Sequence, residues 1–120
     1  MTSTITVYHN PRCSKSRATV EWLRQQNIDF EVVEYLKQPL DKSTLKSLAD
    51  QLGVGPLDFM RTGEKIFKEL CLDQGDHGDE ALFDAMVKHP ILLERPIVAT
   101  GQEAAIGRPL DNVMEMINDL

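Results

Sequence analysis

His9-Asn10-Pro11-Arg12-Cys13-Ser14-Lys15-Ser16-Arg17 is the stretch from which the rest of the chain can be read. Before it, Ile5 and Val7 alternate with Thr6 and the run ends at Tyr8, the pattern of a short half-buried strand. After it, Thr19, Val20 and Leu23 recur on one helical face. Cys13 therefore lies where a strand gives way to a helix. The first N–H groups of a helix have no partner within it, and the helix dipole adds partial positive charge there. Both effects favour a thiolate, the reactive form of cysteine. His9, Arg12, Lys15 and Arg17 bring further positive charge close by, and Pro11 stiffens the approach. The same N–H groups would hold an oxyanion. The expectation is a reactive cysteine at an anion site, with a small buried hydrophobe as the competing reading.

At 120 residues the chain reads as one domain, long enough to bury its own core without staples. No apolar run is long enough for a membrane helix. The N-terminus lacks the basic and apolar regions of a signal peptide, so a cytoplasmic location is expected. Two cysteines, Cys13 and Cys71, do not make a disulfide framework. The net charge is −6 and the acidic residues are dispersed, which argues against a nucleic-acid surface. Arginines gathered at one point of such a chain would be a local exception.

Taken in order, Met1 to Thr4 is a tail, Ile5–Tyr8 a strand, Ser14 to about Gln26 a helix, and Phe30–Tyr35 a second strand, parallel to the first. Asp41 is a plausible N-cap for a helix bearing Leu45, Leu48, Ala49 and Leu52, stopped by Gly53. A short helical piece follows Gly55-Pro56, and another helix spans Glu64 to Leu70. Gln74 to Gly78 reads as a polar loop. Asp79 is expected to cap a helix bearing Leu82, Phe83, Met86 and Val87, closed by Pro90. Ile91–Leu93 is a short apolar run. Ile97–Ala99 and Ala104–Ile106 read as a hairpin, and a last helix starts at Pro109 with Leu110, Val113, Met114 and Ile117 on its apolar face. The fold class is α/β, with β-α-β, a helical insertion at about 41–89, then β-β-α: the thioredoxin plan in a single domain over residues 1–120.

A thioredoxin-type redox site would be Cys-x-x-Cys, but Ser16 stands where the second sulfur would be. Cys13 must then work as a single thiol with its resolving thiol supplied from elsewhere. Cys71 is one candidate, although its neighbours Leu70 and Leu72 favour a packing role at a helix end. A phosphatase-type loop needs a longer Cys-to-Arg spacing than Cys13 to Arg17 provides. His9, His77 and His89 have no metal-ligand spacing, so no metal is expected. His77 reads as solvated and His89 as favouring its helix C-terminus. His9 can either pair with the thiolate or serve the turn. Arg61, Arg95 and Arg108 each end an apolar segment, and guanidinium groups suit bidentate oxyanion capture, though a solvated charge is the alternative for each.

Asn10-Pro11-x-Cys13-x-x-Ser16-Arg17, Arg61, His89-Pro90-Ile91-Leu92-x-x-Arg95-Pro96-Ile97-Val98 and Gly107-Arg108-Pro109, in that order, resemble the glutaredoxin-coupled arsenate reductase family. The resemblance implies a thioredoxin-like fold with Cys13 as nucleophile and Arg61, Arg95 and Arg108 as the oxyanion-binding residues. It implies that His9 helps keep the cysteine ionised and that Pro96 is a cis-proline beside it, with Asn10, Ser16 and Arg17 in support. It further implies arsenate as substrate, glutathione as co-substrate, glutaredoxin as partner and no bound cofactor. Two alternatives remain open at this point: a glutathione-linked thiol reductase acting on another substrate, and a non-catalytic regulator that binds RNA polymerase. The regulators' switch uses Cys-x-x-Cys, against which Ser16 counts.

Overall fold

The structure is a computed structural model and describes residues 5–72 and 78–119. The expected tail Met1 to Thr4, His77 and the rest of the polar loop before Gly78 lie outside the described residues. The chain forms two compact units, one of residues 1–38 with 95–120 and one of residues 39–94, which encloses the expected insertion.

In the first unit, β1 (Ile5–Tyr8), α1 (Ser14–Gln25) and β2 (Phe30–Val33) are followed by β3 (Ile97–Ala99), β4 (Ala104–Ile106) and α5 (Asp111–Asn118). The four strands lie in the order β2-β1-β3-β4. β1 and β2 are parallel, as a helical crossover requires, with Ile5 opposite Phe30. β3 runs antiparallel to β1 and pairs with β4 as the expected hairpin, Ile97 opposite Ile106. Ile5, Val7, Val20, Leu23, Val98, Val113 and Met116 form the buried core, with Trp22, Ile28, Phe30 and Leu110 against it. Burying each of the larger aliphatic side chains stabilises the unit by about 1.5–3 kcal/mol.

β2 stops two residues earlier than expected, because the chain turns at Glu34, whose carbonyl accepts the N–H groups of Lys37 and Gln38. α5 starts at Asp111 rather than Pro109, with Leu110 as its N-cap residue, and Met116 joins Val113 among its buried residues. Leu110, Val113 and Ile117 face the core as expected, whereas Met114 is half-buried.

In the second unit, α2 (Lys42–Leu52) is capped as expected: the Asp41 carboxylate accepts the Thr44 N–H at 2.8 Å, and Gly53 ends the helix at φ 72°. α3 (Lys65–Glu69) and α4 (Asp79–Lys88) follow. Short 3-10 turns at Pro56–Phe59 and Pro90–Leu92 pack against α4. Asp79 is in the first turn of α4 and Gly78 is its N-cap residue, so the acidic side chain serves the helix dipole instead of the cap. Pro90 closes α4 by opening the second 3-10 turn, which absorbs the Ile91–Leu93 run.

Cys71 is exposed, not packed, and takes φ 57° after α3. It closes the helix end: its N–H donates to Lys68 O at 3.0 Å, and the Leu72 N–H donates to Phe67 O at 3.1 Å. This is the position glycine prefers, since an L side chain there strains the backbone. Cys71→Gly is expected to stabilise the protein by about 0.5–1 kcal/mol, net of glycine's greater freedom when unfolded. A thermal melt should rise by about 2–4 °C. A lower melting temperature would refute this account of the helix end.

Candidate active site

α1 begins immediately after Cys13, which is its N-cap residue with extended backbone (φ −94°, ψ 123°). The turn that delivers it is tied at several points. The Cys13 N–H donates to Asn10 O at 3.0 Å, and the Arg17 N–H returns to Cys13 O at 3.0 Å as the first helical bond. Asn10 Oδ1 accepts the Arg12 N–H at 3.0 Å, and Arg17 Nη1 donates to Pro11 O at 2.9 Å. Asn10 in the turn and Arg17 in the first turn of α1 thus hold the loop's shape.

Ser16 is fully buried and acts as the hub of this turn. Its Oγ accepts the Asn10 N–H at 3.0 Å and is hydrogen-bonded to His9 Nδ1 at 2.6 Å. His9 therefore reaches Ser16, and Ser16 in turn offers its backbone N–H to the sulfur. Burial holds the His9 imidazole below its ordinary pKa, with Arg17 and Arg24 acting in the same direction and Glu34 opposing. This disfavours the charged imidazole, and His9 serves the site through its hydrogen bond to Ser16.

Cys13 is nearly buried, at 9% exposure. Burial pushes its thiol up. Against that, the Ser16 N–H, the Arg108 side chain, the Lys15 N–H and the Arg95 side chain favour the anion, and together they bring the thiol down to about 7. Arg108 Nη2 donates to Cys13 Sγ at 3.3 Å across 95 residues of sequence, while its Nε donates to Arg95 O at 2.9 Å. The hairpin explains the meeting. β3 and β4 pair Ile97 with Ile106, the Gly107 N–H donates to Pro96 O at 2.9 Å, and the same register brings Arg95 opposite Arg108. The Arg95–Pro96 bond is cis, and Pro96 is buried.

Of the three arginines singled out in the sequence, two thus act on Cys13. Arg61 belongs to the unit of residues 39–94, where its Nε donates to Glu64 Oε1 at 2.8 Å and its Nη1 lies 3.6 Å from Glu94 Oε1. Sequence reasoning gave Gly107 no role of its own, although Gly107-Arg108-Pro109 is among the motifs that carry the resemblance; in the structure the Gly107 N–H ties it to Pro96.

The sequence matches the ArsC family over residues 8–116. The chain belongs to the ArsC family. It is 46% identical over 110 residues to a Neisseria meningitidis protein named arsenate reductase, covering 91% of this chain and 94% of that one. It is 45% identical over 118 residues to the uncharacterized protein YfgD of Escherichia coli K12, covering 98% and 99%. A solved structure of an arsenate reductase from Vibrio cholerae superposes with a TM-score of 0.90 at 42% identity, covering 96% of this chain and 98% of that one. Membership in the ArsC family accords with the thioredoxin-like arrangement of the first unit.

Proposed function

We propose that this ArsC-family protein reduces arsenate to arsenite, with Cys13 as nucleophile. The observation that carries the reading is a thiol near pKa 7 at a helix N-terminus with two guanidinium groups on it. Its relatives' names support the choice of arsenate. The Cys13 thiolate attacks arsenic, a sulfur–arsenic bond forms as an arsenic–oxygen bond breaks, and an arsenate hydroxyl that takes one proton from solvent leaves as water. Arg95 and Arg108 turn from the sulfur to the oxyanion as the sulfur's charge is consumed, so positive charge stays matched throughout. Arg61 enters the oxyanion-binding set from the family resemblance.

The reduction needs two electrons. Ser16 occupies the place of an internal resolving thiol, so an external thiol supplies the second sulfur, and glutathione is the proposed co-substrate. Its thiolate attacks the Cys13 sulfur and forms a disulfide, the sulfur–arsenic bond breaks with its electron pair left on arsenic, arsenic falls from +5 to +3 and arsenite departs. Glutaredoxin then reduces the mixed disulfide. No bound cofactor is required by this scheme, and a cytoplasmic setting, rich in reduced glutathione, suits it. Among the described residues no helix is long and apolar enough to cross a membrane.

The test is NADPH consumption by purified protein with arsenate, glutathione, glutaredoxin and glutathione reductase. Arsenate-dependent turnover is expected. Its absence, from a protein whose Cys13 still alkylates readily at pH 7, would discard arsenate as the substrate.

A further inference from the structure

We propose that Gly107 is a positioning residue for Cys13: having no side chain, it lets the end of β4 lie against Pro96 and Thr19, and so keeps Arg95 and Arg108 at the sulfur. A Cβ on Gly107 would lie 2.7 Å from Thr19 Oγ1 and 2.8 Å from Pro96 Cγ. At Gly53, Gly55, Gly63, Gly78 and Gly101 a Cβ would meet nothing within 4 Å, so among the described glycines the crowding is particular to this position. The backbone of Gly107 is not left-handed, so space, not φ, is what demands glycine.

Neither neighbour yields cheaply. The Pro96 side chain is a closed ring tied to the backbone. Thr19 is fully buried, and its hydroxyl donates to Lys15 O at 3.1 Å in the first turns of α1. The Lys15 and Ser16 N–H groups of those turns are among the groups that act on Cys13. The Gly107 N–H also donates to Pro96 O at 2.9 Å, the last rung before Arg95 and Arg108 face each other. Every group that favours the thiolate is therefore tied to an element touching Gly107: the first turn of α1 through Thr19, Arg95 through Pro96, and Arg108 by the next peptide bond. A methyl group at 107 must push β4 off this surface and carry Arg108 away from the sulfur.

The inference rests on Cys13 as the working thiol but not on arsenate, and its test needs no oxyanion. Iodoacetamide alkylation of Cys13 is followed by peptide mass, which separates it from Cys71, between pH 5 and 10. In Gly107→Ala the midpoint should rise by at least about one unit, making alkylation about tenfold slower at pH 6 with the alkaline plateau retained. Val113→Ala, a core truncation in the same unit, should lower the melting temperature and leave the midpoint where it was. If Gly107→Ala does not fold, the Gly107→Ala/Thr19→Ala double variant, relieved of the hydroxyl contact, is measured against Thr19→Ala alone, and a midpoint above that of Thr19→Ala supports the proposal. An unchanged midpoint in the folded variant overturns it, and so does failure of both variants to fold, which would make Gly107 a requirement of the fold alone.

Discussion

Cys13→Ser is expected to abolish arsenate-dependent NADPH oxidation, by at least about 10³-fold, while leaving the protein folded and no less stable. The two halves of this result have separate causes. The reaction draws its electrons from sulfur, and a serine oxygen can neither be oxidised to a disulfide nor ionise near neutral pH. Stability behaves differently because Cys13 is the N-cap residue of α1, a position where serine is among the preferred residues. A serine hydroxyl there can accept the first N–H groups of α1, which the Cys13 side chain does not cap. Turnover within tenfold of the parent would remove Cys13 as nucleophile. A large fall in melting temperature would instead show that the sulfur is needed for packing.

Arg108→Ala is expected to lower kcat/KM for arsenate by about 10²-fold, the size of a lost charge-assisted hydrogen bond of about 1.5–3 kcal/mol. Its effect should depend on pH in a stated direction. With the Cys13 thiol at about 7, the parent's thiolate fraction falls about tenfold per unit below pH 7 and is complete well above it. Removing the guanidinium raises the midpoint toward that of an ordinary thiol, so the deficit should be largest at pH 6 and shrink on the alkaline side. Some deficit persists there, because the arginine also binds the anion. Arg108→Lys should recover little: one guanidinium spans both Arg95 O and Cys13 Sγ, and an ammonium cannot reproduce that fork. A rate and pH profile equal to the parent's would remove Arg108 from the site. Arg95→Ala should behave alike with a smaller shift of midpoint, since Arg95 is the weaker of the two influences on the sulfur.

These expectations draw on unequal shares of sequence and structure. The strand, turn, cysteine and helix around Cys13 were legible because each is decided by neighbours a few residues apart. Alternation marks β1, the 3.6-residue period marks α1, and cysteine at their junction meets the helix N–H groups without help from elsewhere. The Asp41 cap and the Gly53 stop were legible for the same reason. Boundaries that depend on weaker local signals moved: β2 lost its last two residues to a turn and α5 began after Pro109; Cys71 does stand at a helix end, but exposed and with positive φ instead of packed.

By itself, the sequence determined that an ionisable cysteine would stand at a helix N-terminus and which residue types could serve an oxyanion. Only the tertiary structure decided which of them meet. Arg95 and Arg108 reach the sulfur because β3 lies beside β1 and pairs with β4 in one particular register, a choice made by the burial of the whole inner face of the sheet. Ser16, read from its spacing as a missing sulfur, became the hub of the turn because the folded chain brings Asn10 and His9 onto its hydroxyl. Gly107 gained its part only when α1 and the Pro96 segment closed on the end of β4. Short-range hydrogen bonding and periodicity are written in adjacent residues, whereas a convergence across 95 residues is a property of sheet order and packing, which no local stretch contains.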